Sequence, residues 1–155
     1  MMMRSVGQKN GEAGSALVEF ALASVIVLTV LFGIIDMGRA LYAYDWVSDA
    51  ARRGTRYAMV RGTGSCTGSP ELTDCNAGPT QITTYVENNA FGINTDPSTL
   101  TVTSQCWPSS SAFTPPPCTP GKTVAVKVQY NFAFLSPFTP RSWTMTSSSI
   151  RTVSQ

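Results

Sequence analysis

Histidine is absent from the 155 residues of this chain. Histidine is the usual general base near neutral pH, the centre of Ser-His-Asp triads and the commonest zinc ligand. Its absence excludes histidine-based general base catalysis, Ser-His-Asp triads and zinc sites with histidine ligands. Acidic residues such as Glu71, Asp74 and Glu87 are scattered and follow no spaced motif. A membrane-anchored enzyme that uses them is therefore the least favoured reading, and we expect no catalytic residues, no cofactor and no metal.

Charge is also sparse. The chain has 11 Lys and Arg against 9 Asp and Glu, a net charge of +2. No basic block alternates with aromatic residues, whereas nucleic-acid-binding domains carry clustered Lys and Arg on one face. We therefore expect no nucleic-acid partner.

Cysteine is scarce but informative, because all four cysteines follow the long apolar segment: Cys66, Cys75, Cys106 and Cys118. None of the gaps has the CxxC-like spacing of zinc sites. The distribution predicts two disulfides, which persist in an oxidising compartment such as the bacterial periplasm. Sequential pairing is the simplest of the three possible connectivities, and spacing does not decide among them.

The dominant feature that is present is an apolar block at residues 16–35, in which Glu19 is the single charge. A helix of about 20 apolar residues spans a bilayer's hydrocarbon core of about 30 Å. The block is longer than the apolar region of a cleaved secretory signal, and the rest of a chain this small offers little to surround it as a core helix. It predicts a single membrane span.

Basic residues do not orient this span. Arg4 and Lys9 precede it, and Arg39, Arg52 and Arg53 follow it closely, so the positive-inside rule gives no clear answer. The predicted disulfides do orient it, because they form outside the cytosol. We expect a single-pass membrane protein with a cytoplasmic N-terminus and its C-terminal domain outside the cytosol, which is the periplasm where the membrane is a bacterial inner membrane.

The pattern predicts one helix over residues 15–61, preceded by a flexible cytoplasmic leader at residues 1–14 that is polar and weakly basic. Beyond the span, apolar or small residues recur at helical spacing and predict a packing face, formed by Leu41, Tyr44, Val47, Ala51, Gly54 and Ala58. The glycines in this helix mark either bends, close contacts or merely tolerated positions. They are Gly33, Gly38 and Gly54.

Residues 62–155 predict a small α+β domain. Pro79 begins a short amphipathic helix that Gly92 ends. Strands are predicted at residues 99–105 and 142–153, and between them a strand with one strongly apolar face carries Val124, Val126, Val128, Tyr130, Phe132 and Phe134. The second half of the long helix is the expected cover for that face, which gives a helix packed on a small antiparallel sheet with one short extra helix.

Glu19 is unusual because it lies in the first turns of a membrane segment. A carboxylate at the centre of a membrane helix costs about 2.5 to 3.5 kcal/mol on insertion scales, and less near the interface. Glu19 either reaches the headgroups, where the helix dipole favours a negative charge, or it has a function of its own.

An acid five residues after a glycine that closes a short basic leader resembles the processing site of type IV prepilins and pseudopilins. The resemblance implies cleavage between Gly14 and Ser15 by a prepilin peptidase. It also implies that Glu19, which Phe20 follows, acts in assembly by meeting the free amine of a neighbouring subunit. The attraction between the two charges in a low dielectric is physically reasonable.

The wider stretch at residues 14–58, which begins GSALVEF and ends AARRGTRYA, resembles the N-terminal region of the TadE-like family. These are minor pilins or pseudopilins of Tad (tight adherence) pili. The resemblance implies a pilin-like fold, a structural role in assembly and, for some subunits, a place in an extracellular pilus. The implied partners are other pilin or pseudopilin subunits, the prepilin peptidase, the inner-membrane pilus assembly platform and membrane lipid. The alternative is an uncleaved bitopic membrane protein whose periplasmic domain binds or tethers envelope partners.

Overall fold

A computed structural model describes residues 10–64, 76–107, 114–135 and 142–153. Along these ranges lie two helices and three strands, which are α1 (Asn10–Val60), α2 (Pro79–Asn88), β1 (Leu100–Trp107), β2 (Thr123–Ala133) and β3 (Ser142–Thr152). The predicted α+β architecture is confirmed.

Helix α1 is 51 residues long, which corresponds to about 76 Å. It begins at Asn10, five residues before the predicted start at Ser15. Extending an existing helix costs little per residue, so Gly11 and Gly14 weaken this first part without ending it. The removal of residues 1–14 stays a prediction, and residues 1–9 lie outside the described ranges.

The three strands form one antiparallel sheet in the order β1-β2-β3. Central strand β2 buries Val124, Val126, Val128, Tyr130 and Phe132 on one face, as its alternation predicts. The edge strands match the predicted ones to within two residues at each end, the usual uncertainty of element boundaries.

The second half of α1 covers the apolar face of the sheet, together with α2. The helix face that is buried there consists mostly of small residues: Ala40, Ala43, Val47, Ala50, Ala51, Gly54, Thr55 and Ala58. The predicted face was wrong for Leu41 and Tyr44, which are 56% and 63% exposed. Small side chains allow the helix backbone to approach the sheet closely, so they occupy the contact in place of the larger ones.

Gly54 marks the closest approach between α1 and its neighbours. A methyl carbon added at Gly54 would lie 3.2 Å from both Val126 Cγ1 and Val86 Cγ2. At Gly33 and Gly38 the same added carbon would meet nothing within 4 Å. Of the three glycines, Gly54 is therefore the one that serves close packing.

A disulfide joins Cys106 at the end of β1 to Cys118. The Thr63 amide donates a hydrogen bond of 2.9 Å to the Cys118 carbonyl, which ties this segment to the chain just beyond α1. On the chain-entropy model a ring of this size contributes roughly 3 kcal/mol. One predicted disulfide is thus confirmed, whereas Cys66 and Cys75 lie outside the described residues.

Candidate assembly helix

The first half of α1 makes no contribution to the folded core. From Gly14 to Ile35 no side chain is buried, and the first buried residue is Asp36. This segment is long and apolar enough to cross a membrane, and its most apolar window is entirely unburied. It is therefore not the core helix of this domain, and one helix of the chain could span a membrane, as the sequence predicts for residues 16–35.

The predicted processing site lies near the start of this exposed segment. Gly14 and Ser15 are both helical and exposed. A methyl carbon added at Gly14 would meet nothing within 4 Å. The bond between them is therefore not shielded by the globular domain, although its backbone is part of a continuous helix.

Glu19 lies one turn beyond Ser15, on the same helix face, because residues four apart are neighbours on a helix. Its side chain is exposed, as is that of Phe20. Within the described ranges Glu19 forms no ion pair, since the two salt bridges there join other residues. The structure thus places Ser15, Glu19 and Phe20 together at one end of an unpartnered apolar helix.

Asp36 joins this helix to the sheet. It is only 3% exposed, and its Oδ1 accepts a hydrogen bond of 3.1 Å from the Leu135 amide just beyond β2. Arg39 Nη1 lies 3.2 Å from the same carboxylate, and the Arg39 guanidinium carbon lies 5.2 Å from the centre of the Phe132 ring. These contacts hold the end of β2 beside the turn of α1 at which the apolar segment ends.

The aromatic residues that follow the apolar segment have two different environments. Tyr42 Oη donates a hydrogen bond of 2.6 Å to the Phe91 carbonyl, and Trp46 Nε1 donates a weaker one of 3.4 Å to the Asn89 carbonyl. Both therefore hold the turn that follows α2. Trp46 thus packs within the domain, whereas Tyr44 is exposed.

The arginine cluster of α1 forms a solvated face. Arg52, Arg53 and Arg56 are all exposed, and Arg53 Nε lies 2.6 Å from Asp49 Oδ2 in an exposed pair. Such a helix pair contributes about 0.3 to 0.5 kcal/mol. In the part of the chain that the structure describes, no three His, Cys, Asp or Glu side chains lie close enough to hold a metal ion.

Comparison with known protein families gives a match to most of α1. Residues 14–56 match the family model described as TadE-like protein. The resemblance predicted from the sequence is confirmed over this stretch, which runs from the glycine of the predicted processing site to Arg56, near the end of the buried face of α1. No curated protein and no solved structure matches the chain.

Proposed function

We propose that this chain, whose N-terminal region matches the TadE-like family, is a minor pilin or pseudopilin of a Tad-type pilus. The observation that carries the proposal is the unburied apolar segment of α1 at residues 14–35, in which Glu19 is the single charge. A helix with no partner in its own domain is available to lipid first and to other helices later. The role is structural, with no catalytic step.

The first stage of this role is membrane anchoring. Residues 16–35 span the inner membrane, with the N-terminus in the cytoplasm and the domain from Asp36 onward in the periplasm. The disulfide between Cys106 and Cys118 supports this orientation, because such bonds persist on the oxidising side of the membrane. Lipid is therefore the first partner of the helix.

The second stage is processing and assembly. A prepilin peptidase cleaves between Gly14 and Ser15 and leaves an ammonium group at the new N-terminus. That ammonium pairs with Glu19 of a neighbouring subunit. In a low-dielectric environment each charge lowers the cost of burying the other. Because Ser15 and Glu19 share one helix face, a neighbour that docks on this face meets both charges.

The partners in this stage are other pilin or pseudopilin subunits and the inner-membrane assembly platform. Without water to displace, helices in a membrane associate through close packing and polar contacts. The exposed residues around Glu19 supply the packing surface, and they include Leu17, Val18 and Phe20. Glu19 supplies the polar contact.

One observation favours a second candidate, an uncleaved bitopic protein that tethers envelope partners. Helix α1 runs without interruption from Asn10 through Gly14 and Ser15. A helical bond has to unwind before a peptidase can act on it, although two glycines weaken the helix here. The N-terminal residue of the membrane-extracted protein discriminates between the two candidates.

Replacement of Glu19 tests the assembly role. We expect Glu19→Ala and Glu19→Gln to remain in the membrane with the Cys106–Cys118 disulfide formed, because Glu19 contacts nothing in the described core. Both variants should be lost from assembled pili or from co-purified assembly complexes, since neither carries the charge. The matched control is Ser24→Ala on the same helix, which should assemble normally.

The readout is the amount of the subunit in sheared pili and in cross-linked membrane complexes. Normal incorporation of both Glu19 variants would show that the carboxylate has no role in assembly. Loss of the Ser24 control would show instead that the whole helix surface is intolerant of change.

A further inference from the structure

Two large apolar side chains stand exposed at the end of the sheet nearest Asp36. Leu135 follows β2 and is 63% exposed, and Trp143 near the start of β3 is 62% exposed. The antiparallel register places Trp143 directly opposite Phe132. The two side chains therefore lie on adjacent strand ends, on the side of the domain from which the apolar half of α1 emerges.

The position of these residues along the axis of α1 follows from the contacts of Asp36. Asp36 comes directly after the last residue of the apolar block. The Leu135 amide lies 3.1 Å from the Asp36 carboxylate. Arg39, one helical turn beyond Asp36, stacks on the Phe132 ring that faces Trp143 in the register. Leu135 and Trp143 thus lie within about one helical turn, roughly 5 Å, of the point where the apolar block ends.

If the apolar block spans the hydrocarbon core, the lipid headgroup layer begins at the level of Asp36, where the block ends. The headgroup region adds roughly 5 to 7 Å on each side of that core. Tryptophan is enriched in this layer because its ring is amphipathic. The exposed surface also continues onto the span itself, since Phe32, four residues before Asp36 and so on the same helix face, is exposed as well. The half-exposed guanidinium of Arg39 adds a cation at the level of lipid phosphates.

We propose that Leu135 and Trp143 form a lipid-docking edge that enters the headgroup layer of the membrane that α1 spans. The domain is then held against the bilayer at the helix and at the ends of two strands, which fixes its orientation to the membrane before assembly. The inference rests on the proposed membrane anchoring of α1.

Tryptophan fluorescence tests the lipid-docking edge, because the chain carries its own control. Trp107 is also exposed but lies opposite Thr123, at the other end of β2. Phe132 lies nine residues after Thr123 in the same strand, about 30 Å away, so a bilayer that touches Trp143 does not reach Trp107. The double variant Trp46→Phe/Trp107→Phe keeps Trp143 as its single tryptophan. The double variant Trp46→Phe/Trp143→Phe keeps Trp107 as its single tryptophan.

Both full-length variants are reconstituted into phosphatidylcholine vesicles whose acyl chains are brominated near the headgroup. We expect Trp143 emission to be shifted to shorter wavelength and strongly quenched, while Trp107 emission stays unchanged. In the Trp143-only chain, Leu135→Ser should lower the quenching, and Ile150→Ser at the far end of β3 should not.

Flotation with the vesicles after alkaline extraction reports insertion of α1 separately. A chain that does not float contradicts the membrane anchoring and the docking edge together. A chain that floats with Trp143 unquenched contradicts the docking edge alone, as does equal quenching of Trp143 and Trp107. A shift of Trp143 emission to shorter wavelength without quenching would mean that the edge packs against a second copy of the protein instead of lipid. That result would also overturn the proposal.

Discussion

At the residue scale, Gly54 limits how closely α1 approaches the rest of the domain. We expect Gly54→Ala to be less stable than Gly38→Ala by about 1 to 3 kcal/mol, because its new methyl overpacks against Val126 and Val86. Gly38→Ala meets open space, so it should gain about 0.5 to 1 kcal/mol in helix propensity. Thermal unfolding in detergent, followed by circular dichroism, measures both. Equal midpoints for the two variants would contradict the close contact.

Some candidate residues of the proposed function and of the fold can be found from the sequence, and others cannot. Glu19 stands out because a charge inside an apolar block is costly, and the glycine before it gives a recognisable spacing. Cys106 and Cys118 stand out through their place after the block. Asp36 was missed, because its importance depends on an amide 99 residues away, which no local pattern reveals. An acid at the end of the block with Arg39 three residues later was the one available signal.

At the element scale, the strands were easier to predict than the packing face of the helix. Strand β2 alternates strictly, so its buried face follows from a period of two. On α1, alanine and glycine occur on several sides, and larger residues such as Leu41 and Tyr44 look like better core candidates. The sheet selects small residues instead, since distance between backbones decides which side chains fit. That distance is a tertiary property.

The joint between α1 and β2 depends on Asp36. We expect Asp36→Ala to destabilise the domain by about 1 to 3 kcal/mol, because the Leu135 amide loses its carboxylate acceptor. Asp36→Asn keeps an oxygen acceptor and should cost less. The matched control is Asp49→Ala, which removes an exposed pair with Arg53 and should cost under about 0.5 kcal/mol. Chemical denaturation in detergent measures all three, and equal losses for Asp36→Ala and Asp49→Ala would contradict the joint.

At the scale of the whole molecule, the chain divides at Asp36 into an unburied helix and a folded domain. Because no residue from Gly14 to Ile35 is buried, a variant that lacks residues 1–35 should fold and remain in solution. A variant that lacks residues 1–46 also loses Asp36, Ala40 and Ala43 from the core, and it should not fold. Dispersion of amide signals in NMR spectra separates the outcomes. Unfolding of the first variant would show that the apolar half supports the domain.

The arrangement of layers was predictable at this scale, because an apolar strand face and an amphipathic helix half require each other. The point at which the helix leaves the domain was also predictable, since the apolar block ends at Ile35 and Asp36 is the first buried residue. The contact made at that point was not, because it depends on which turn of α1 meets the end of β2. The TadE-like match extends across this point, so it covers both the exposed apolar segment and most of the packing face of α1.

The most direct test of the proposed function is the intact mass of the protein extracted from the membranes of cells that carry a Tad system. The proposed processing predicts a chain that begins at Ser15 and keeps its C-terminal domain, with Gly14→Leu as an uncleaved control. A mature chain that still carries residues 1–14 in wild-type cells would contradict the pilin assignment and favour the tethered membrane protein.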